Sequence, residues 1–322
     1  MTDSAIHTAI RTALQAAKKI MIISHIRPDG DAIGSLLALG LALQDAGKQV
    51  QMVSQDGVPA EFCFLNGSKY ILRAPTGPVD LVIVVDISDF NRIGIGFDIE
   101  QPDIQIDHHI TNLNFAKINL VKADAVATAA ILAESIALWD LTITLQIAEA
   151  LLTGIVTDTI GFRTSNMNPQ ALRIAADLME YGANLPDIYE RSLAQRSFEA
   201  ARYWGKGLSS LQREGRLIWA TLSRADRRAV RYNSNDDADL NHILSTIVQG
   251  DISVLFIEQN KHHVKVSWRA RPGWDVSQLA LKFGGGGHPA AAGAEIFGTM
   301  EEVQDLVLEA TKQLLSDHSQ GK

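Results

Sequence analysis

One cysteine, Cys63, occurs in 322 residues. An intrachain disulfide and a cysteine-built zinc cage are therefore excluded. Cys63 lies in "EFCFLNG" between apolar neighbours, where a free thiol is expected to be buried and inert. Long apolar runs are also lacking. "LVIVV" (81–85) falls far short of a membrane span. The opening "MTDSAIHTAIRTALQAAKK" has helical spacing and neither the apolar core nor the small-residue cleavage site of a signal peptide. A cytoplasmic protein with no membrane partner is expected. No internal repeat or low-complexity tract is present. Positive charge is scarce, and unevenly so: residues 1–204 carry 15 Lys+Arg against 23 Asp+Glu, whereas residues 205–322 carry 14 of each. An acidic chain is a poor ligand for duplex DNA, whose affinity comes from neutralising many phosphates. A small phosphorylated substrate held by a few placed cations stays open.

The chain is 46% hydrophobic and long enough for two ordinary domains with ample cores. Its first half alternates β-rich runs with helical patterns. "IMIIS" (20–24), "QVQMVS" (49–54), "VDLVIVVDIS" (79–88) and "DIQIDHH" (103–109) read as strands, the third central because it is apolar on both faces. Between the first two lies "DAIGSLLALGLALQDAG", a helix with Asp31 as expected N-cap and Gly47 as its stop. Residues 127–139 and 145–159 read as further helices. This alternation predicts an α/β domain with a doubly wound, mostly parallel sheet. Beyond about residue 170 come helices, including a long charged one from Leu185 to Leu211 that would bridge two domains. "RLIWATLS", "DISVLFIEQ" and "HHVKVSWRAR" then read as strands of a smaller α+β domain, with a hairpin turn at Asn260-Lys261. The expected boundaries are 1–188 for the first domain, 189–210 for a helical linker and 211–322 for the second domain.

Acids and imidazoles gather where the strands end. "HIRPDGDAIGS" starts at His25 and brings Asp29 and Asp31 in the turn after the first strand. Asp86 ends the central strand, and Asp107, His108 and His109 end the fourth. Ligands of doubly wound sheets bind beyond the carboxyl ends of the strands. Asp158, near the end of an apolar helix in "GIVTDT", is a further contributor, with Glu149 and Asp140 as competitors. Asp29, Asp31, Asp86 and Asp158 could not all stay ionised at close quarters without compensating charge, and two divalent cations would supply it. Asp86, central in the sheet, is the natural carboxylate to be shared by both. Mixed imidazole and carboxylate donors suit Mn²⁺ better than Mg²⁺. In the second half, "FGGGGHPAAAG" (283–293) lacks the GxGxxG spacing and following acid of a dinucleotide-binding turn. Its glycines would let backbone N–H groups approach an anion, and its alanines would pack closely as a helix. Arg269 and Arg271, ending a strand, would clamp phosphate. His262 and His263 read as solvated turn residues.

Taken in order, "HIRPDGDAIGS", "VVDIS", "DHH" and "GIVTDTIGF" resemble the four motifs of the DHH phosphoesterase superfamily. "VSWRAR" and "FGGGGHPAAAG" resemble its DHHA1 substrate-binding domain. A chain of this length without an accessory domain is similar to the branch of bifunctional oligoribonucleases (nanoRNases) and 3′-phosphoadenosine 5′-phosphate phosphatases. The resemblance implies two Mn²⁺ ions per active site, with Mg²⁺ or Co²⁺ as substitutes. His25, Asp29 and Asp86 would hold one ion, and Asp31, Asp86, His108 and Asp158 the other. Asp107 would orient an imidazole, and His109 would face the scissile phosphate as a catalytic residue beside Asp86. Arg269, Gly285, Gly286, Gly287 and His288 would contact substrate. Where relatives often carry Ser-Thr after the DHH motif, this chain has Ala127-Thr128, which leaves a hydroxyl contact there open. The implied activity is hydrolysis of short single-stranded RNA or DNA oligonucleotides to mononucleotides, together with a 3′-phosphomononucleotide. Hydrolysis of cyclic dinucleotides or their linear dinucleotide products is the alternative, and a homodimer is left open.

Overall fold

The structure, a computed structural model, describes residues 2–94, 96 and 99–320. The chain divides into two compact units, Met1–Gln195 and Arg196–Lys322. No helix of the described residues is long and apolar enough to cross a membrane.

The first unit runs through helix α1 (Asp3–Ala16), strand β1 (Lys19–Ile23), helix α2 (Gly30–Asp45) and strands β2 (Gln49–Val53), β3 (Leu81–Val85), β4 (Ile104–Asp107) and β5 (Ile118–Val121). Helices α3 (Thr128–Ser135), α4 (Leu145–Asp158), α5 (Pro169–Glu180) and α6 (Leu185–Tyr189) follow. The five strands form one parallel sheet in the order β2-β1-β3-β4-β5. The order reverses between β1 and β3, and such a switch point opens a crevice at the carboxyl ends of the strands. β3 is buried at four of its five positions, as its continuous apolar run predicts. The fifth strand, "INLV", was not evident from the sequence, because four residues carry too little pattern to stand out.

On one face of the sheet, α2 and α4 form the centre of the larger core with Ile33, Leu36, Leu37, Leu151 and Ile155. The two helices meet through glycines. A Cβ at Gly34 would run into the carbonyl oxygen of Ala150, and one at Gly154 would lie 2.8 Å from Asp31 Oδ1. The opposite face buries Met21, Ile23, Val53 and Val84 under Ile87, Ile93 and the edge-to-face pair Phe90–Phe115. Cys63 departs from expectation. It is exposed, because the 3₁₀ turn Ala60–Phe62 turns Phe62 inward and leaves the next side chain outside.

The stretch expected as one long bridging helix is broken. After α6 comes a π-helical turn, Glu190–Ala194, then extended backbone at Gln195 and Ser197. Ser197 caps a new helix, α7 (Phe198–Ser209), by accepting from Ala200 N–H. A cap of this kind requires a non-helical Ncap residue, so the helix cannot be continuous through it. Residues 189–210, expected as a linker, thus divide between the units, and Ala200 and Tyr203 pack with Leu222, Leu240 and Leu255 of the second.

That unit continues with β6 (Gln212–Glu214), β7 (Leu217–Leu222), α8 (Arg224–Val230), α9 (Leu240–Ser245), β8 (Ile252–Asn260) and β9 (His263–Ala270). It ends with α10 (Ser277–Lys282), β10 (Gly286–His288), β11 (Ala291–Phe297) and α11 (Met300–Gln320). Its mixed sheet has the order β10-β11-β9-β8-β7-β6. Asn260 pairs with His263, so the two-residue hairpin turn is Lys261-His262, one residue beyond the expected place. His263 is accordingly a strand residue, stacked on Phe297 and 2.8 Å from Glu295. "AAAG" is a strand and not a helix: Ala291 to Phe297 pair antiparallel with β9. Its small residues let β10 lie close, and Cβ atoms at Gly285 or Gly287 would collide with β11 backbone.

Candidate active site

Four segments deliver the site. β1 ends at Ile23 and leads to His25; β3 leads to Asp86; β4 leads to His108 and His109; and α4 ends at Asp158. The β1 and β3 ends are the two sides of the switch point, so His25 and Asp86 meet there. His25 Nε2 is 3.4 Å from Asp86 Oδ2 and 3.8 Å from Asp29 Oδ2. His108 Nε2 is 3.6 Å from Asp158, 3.8 Å from Asp86 Oδ1 and 3.9 Å from Asp31. Three groups of potential metal ligands result: His25, Asp29 and Asp86; Asp31, His108 and Asp158; and Asp86, His108 and His109. Asp86 belongs to two of them. Of the competitors for Asp158, Asp140 turns away to accept from Gln15 (3.1 Å), and Glu149 joins none of these groups.

The carboxylates are oriented by backbone. Asp29, and not Asp31, caps α2: its extended backbone lets Oδ1 accept from Asp31 N and Ala32 N at 3.1 and 3.0 Å, while Oδ2 faces His25. Asp31, two residues further and inside α2, points inward and is 1% exposed. It accepts from Thr128 N (2.6 Å) and Ala129 N (2.9 Å), the first donors of α3, where an anion is favoured. Thr128 also settles the hydroxyl left open by the sequence: its Oγ1 donates to Asp86 Oδ1 at 3.0 Å. The sequence reading missed this contact because the partners lie 42 residues apart.

The imidazoles share one arrangement. His25 Nδ1 lies 2.8 Å from Ile26 O, and His108 Nδ1 lies 3.4 Å from Ala125 O. A carbonyl only accepts, so each Nδ1 carries a proton and each Nε2 turns a lone pair toward the carboxylates. That is the usual preparation of a metal-binding histidine. His109 is turned the other way: its Nδ1 donates to Asp107 Oδ1 at 2.7 Å. Asp107 is itself gripped by the side-chain amide of Asn112, another residue the sequence reading passed over.

Charge is unbalanced without further cations. Burial, with the charges of Asp86, Asp158 and Asp29, pushes the Asp31 carboxyl well above the ordinary range, against the pull of Ala129 N–H. Burial and the charges of Asp86 and Asp29 push Asp158 up to about 6, against His108 and His109. Asp86 is the exception. Its burial opposes ionisation, but contact with His25 and the charges of His108 and His109 hold it at about 2. Burial lowers His109, yet the bond to Asp107 and the charges of Asp86 and Asp107 prevail and raise it to about 9. Backbone strain collects in the same place. Asp86 (φ 58°), Ile160 (φ 50°) and Phe162 (φ 65°) adopt left-handed backbone, which is costly for non-glycine residues and is concentrated at functional sites.

In the second unit, His288, Ala291, Arg269 and Ser253 are register partners across β10, β11, β9 and β8. Directly paired residues share a face, so His288 and Arg269 lie in one row, roughly 10 Å apart at two strand spacings. Gly286, Gly287 and His288 are exposed. Arg269 is partly buried, donates to Trp268 O at 3.0 Å, and has its pKa lowered by desolvation against the charges of Asp237 and Asp239. Arg271 donates to Ile247 O at 3.3 Å.

Comparison with known proteins identifies the family. Residues 19–155 match the DHH family, N-terminal domain, and residues 230–317 match the DHHA1 domain. The bifunctional oligoribonuclease and PAP phosphatase NrnA of Thermus thermophilus is 35% identical over 92% of this chain and 90% of its own. The chain belongs to the DHH family of phosphoesterases. A second NrnA, of Bacillus subtilis, is 24% identical over 93% of this chain and 95% of its own. An exopolyphosphatase-related protein of Bacteroides fragilis superposes with a TM-score of 0.88 at 26% identity, covering 99% of this chain and 98% of that one. Exonuclease RecJ bound to manganese shares the fold, with a TM-score of 0.52 at 14% identity, 97% of this chain and 92% of that one being covered. In this DHH protein the histidines and acids of the first unit are groups able to bind metal ions.

Proposed function

We propose that this chain is a Mn²⁺-dependent phosphodiesterase that degrades short single-stranded oligonucleotides to mononucleotides and converts 3′-phosphoadenosine 5′-phosphate to AMP. The observation that carries the reading is the convergence on Asp86 of His25 and His108, each with Nδ1 at a backbone carbonyl and Nε2 turned toward the carboxylates. His25, Asp29 and Asp86 would hold one ion; Asp31, Asp86, His108 and Asp158 would hold a second. The elevated pKa values of Asp31 and Asp158 are those of carboxylates short of positive charge, which two divalent ions relieve. Bound there, the metals supply Lewis-acid stabilisation of charge developing at phosphorus and lower the pKa of water. His109, held by Asp107, presents Nε2 toward the substrate and donates to a phosphate oxygen. The names of the NrnA relatives support the substrate class.

We assign the chemistry to the first unit and the substrate grip to Arg269, Gly285, Gly286, Gly287 and His288 of the second. Arg269 contributes a charge-assisted hydrogen bond to the phosphate of the neighbouring nucleotide. A short grip limits length, and an acidic first unit offers no track for a long backbone. The test is incubation of metal-stripped protein with Mn²⁺ and a panel of linear oligonucleotides of two to ten residues, a 24-residue strand, cyclic dinucleotides, 3′-phosphoadenosine 5′-phosphate and pyrophosphate. The expected result is turnover of short linear oligonucleotides and the bisphosphate, declining with length. Turnover of a cyclic dinucleotide alone, or a 24-residue strand cut as efficiently as a trinucleotide, would overturn the assignment.

A further inference from the structure

A cation stands beside the histidine and carboxylate cluster and, among the described residues, forms no ion pair with a carboxylate. Arg92 lies in the 3₁₀ turn Phe90–Ile93 that follows Asp86, a turn begun by Asp89, whose side chain accepts from Asn91 N at 2.9 Å. Its backbone is fixed at both ends: Arg92 N donates to Asp89 O at 2.9 Å, and Arg92 O accepts from Ile26 N at 2.9 Å. That second bond ties the loop after β3 to the loop after β1, so the side chain hangs from a rigid point at the switch. Arg92 Nη2 reaches within 3.1 Å of His25 Nδ1. Its positive charge also opposes protonation of His109.

The contact with His25 is not a settled hydrogen bond. Nδ1 of His25 already has Ile26 O at 2.8 Å, which demands a proton on Nδ1. A guanidinium has five donors and no acceptor. With Nε2 given to a metal, Nδ1 and Arg92 are two donors face to face, and the guanidinium has to find an acceptor elsewhere. It is half-buried and, among the described residues, has no ion pair with a carboxylate, although the His25 it touches lies 3.4 Å from Asp86 and 3.8 Å from Asp29. A buried or half-buried cation placed so is complementary to an anion that arrives with the substrate.

We propose that Arg92 is a catalytic residue of the first unit that binds a non-bridging oxygen of the scissile phosphate, on the side of the site marked by His25 and His109. This deepens the phosphoesterase reading and rests on it. A planar guanidinium suits a tetrahedral phosphate through paired N–H bonds, which a lysine reproduces only as a point charge. Arg92 therefore acts on the substrate and not on the metals.

The test compares wild type with Arg92→Gln and Arg92→Lys by three measurements: calorimetric Mn²⁺ affinity, AMP affinity in the Mn²⁺-loaded protein, and kcat/KM on a dinucleotide. Arg92→Gln is expected to bind Mn²⁺ as tightly as wild type or more tightly, since a neighbouring positive charge is gone. Its AMP affinity should fall about tenfold and its kcat/KM about ten- to a hundredfold. Arg92→Lys should lie between. A parallel tenfold loss of Mn²⁺ affinity in Arg92→Gln would overturn the proposal and make Arg92 a support of His25. Unchanged AMP affinity and kcat/KM would overturn it as well, with the phosphoesterase reading left standing. A wild-type protein that binds Mn²⁺ yet hydrolyses no phosphoester removes that reading, and the proposal with it.

Discussion

Replacing Asp158 by asparagine should make the metal-free protein more stable and the metal-loaded protein inactive. Asp158 closes α4 and faces His108 at 3.6 Å. Burial and the charges of Asp86 and Asp29 raise it to about 6 in the folded state; in the unfolded chain an aspartate titrates near ~3.9. An acid with a raised folded pKa binds more protons folded than unfolded between those two values. Stability therefore falls as pH climbs through that window, and the whole penalty is present above it. A rise of this size corresponds to at most ~3 kcal/mol. The side chain is 30% exposed, so solvent screening brings the working figure to ~1–2 kcal/mol. For a unit of this size that is about 2–8 °C in Tm. The assay is thermal melting of wild type and D158N in EDTA at pH 8 and at pH 4. D158N should melt higher at pH 8, and the difference should vanish at pH 4, where the wild-type carboxyl is already protonated. Adding Mn²⁺ at pH 8 should raise wild type strongly and D158N weakly, because only wild type offers the full donor set. A D158N protein that melts below wild type in EDTA at pH 8 would refute the charge-crowding argument.

Asp86→Ala should abolish turnover and lower bound Mn²⁺ more than any other single ligand change, since Asp86 stands in two of the ligand groups; metal analysis finding two full equivalents in that variant would remove the bridging role. Mn²⁺ affinity should strengthen from pH 6 to pH 9. The ligands His25 and Asp158 are both raised, Asp158 to about 6, so metal binding must expel protons that are scarcer at high pH; a pH-independent dissociation constant would contradict this. Gly34→Ala should cost ~1–3 kcal/mol by forcing α2 away from the Ala150 carbonyl, and should weaken Mn²⁺ binding too, because Asp31 and Asp158 ride on the two helices; an unchanged urea midpoint is the contrary result. Arg269→Ala should leave Mn²⁺ content unchanged while kcat/KM on a dinucleotide falls about ten- to a hundredfold. Unaltered kinetics on every substrate would take the second unit out of substrate binding.

What the sequence by itself determined is the content of each strand end. Apolar β-branched runs such as "LVIVV" have one stable fate in a parallel sheet, and the polar residues just after them are delivered to its carboxyl edge whatever the details of packing. His25, Asp86 and His108 were legible for that reason. So were most helices of the first unit, whose apolar spacing is long enough to be unambiguous. Elements that depend on partners were not legible. β5 has four residues, and "AAAG" is a strand only because β9 offers it a ladder. The long charged stretch breaks at Ser197 because a side-chain cap and the burial of Tyr203 outweigh continuous helix propensity. The same holds within the site. The sequence named acids and imidazoles, and only the tertiary structure decided which oxygen each presents. Asp29 became the cap, Asp31 turned inward to the N–H groups of α3, Thr128 found Asp86, and Arg92 was brought beside His25 from 67 residues away. Hydrogen bonds act over about 3 Å in space and are indifferent to distance along the chain. Which donor meets which acceptor is therefore a property of the closed sheet and its packed helices.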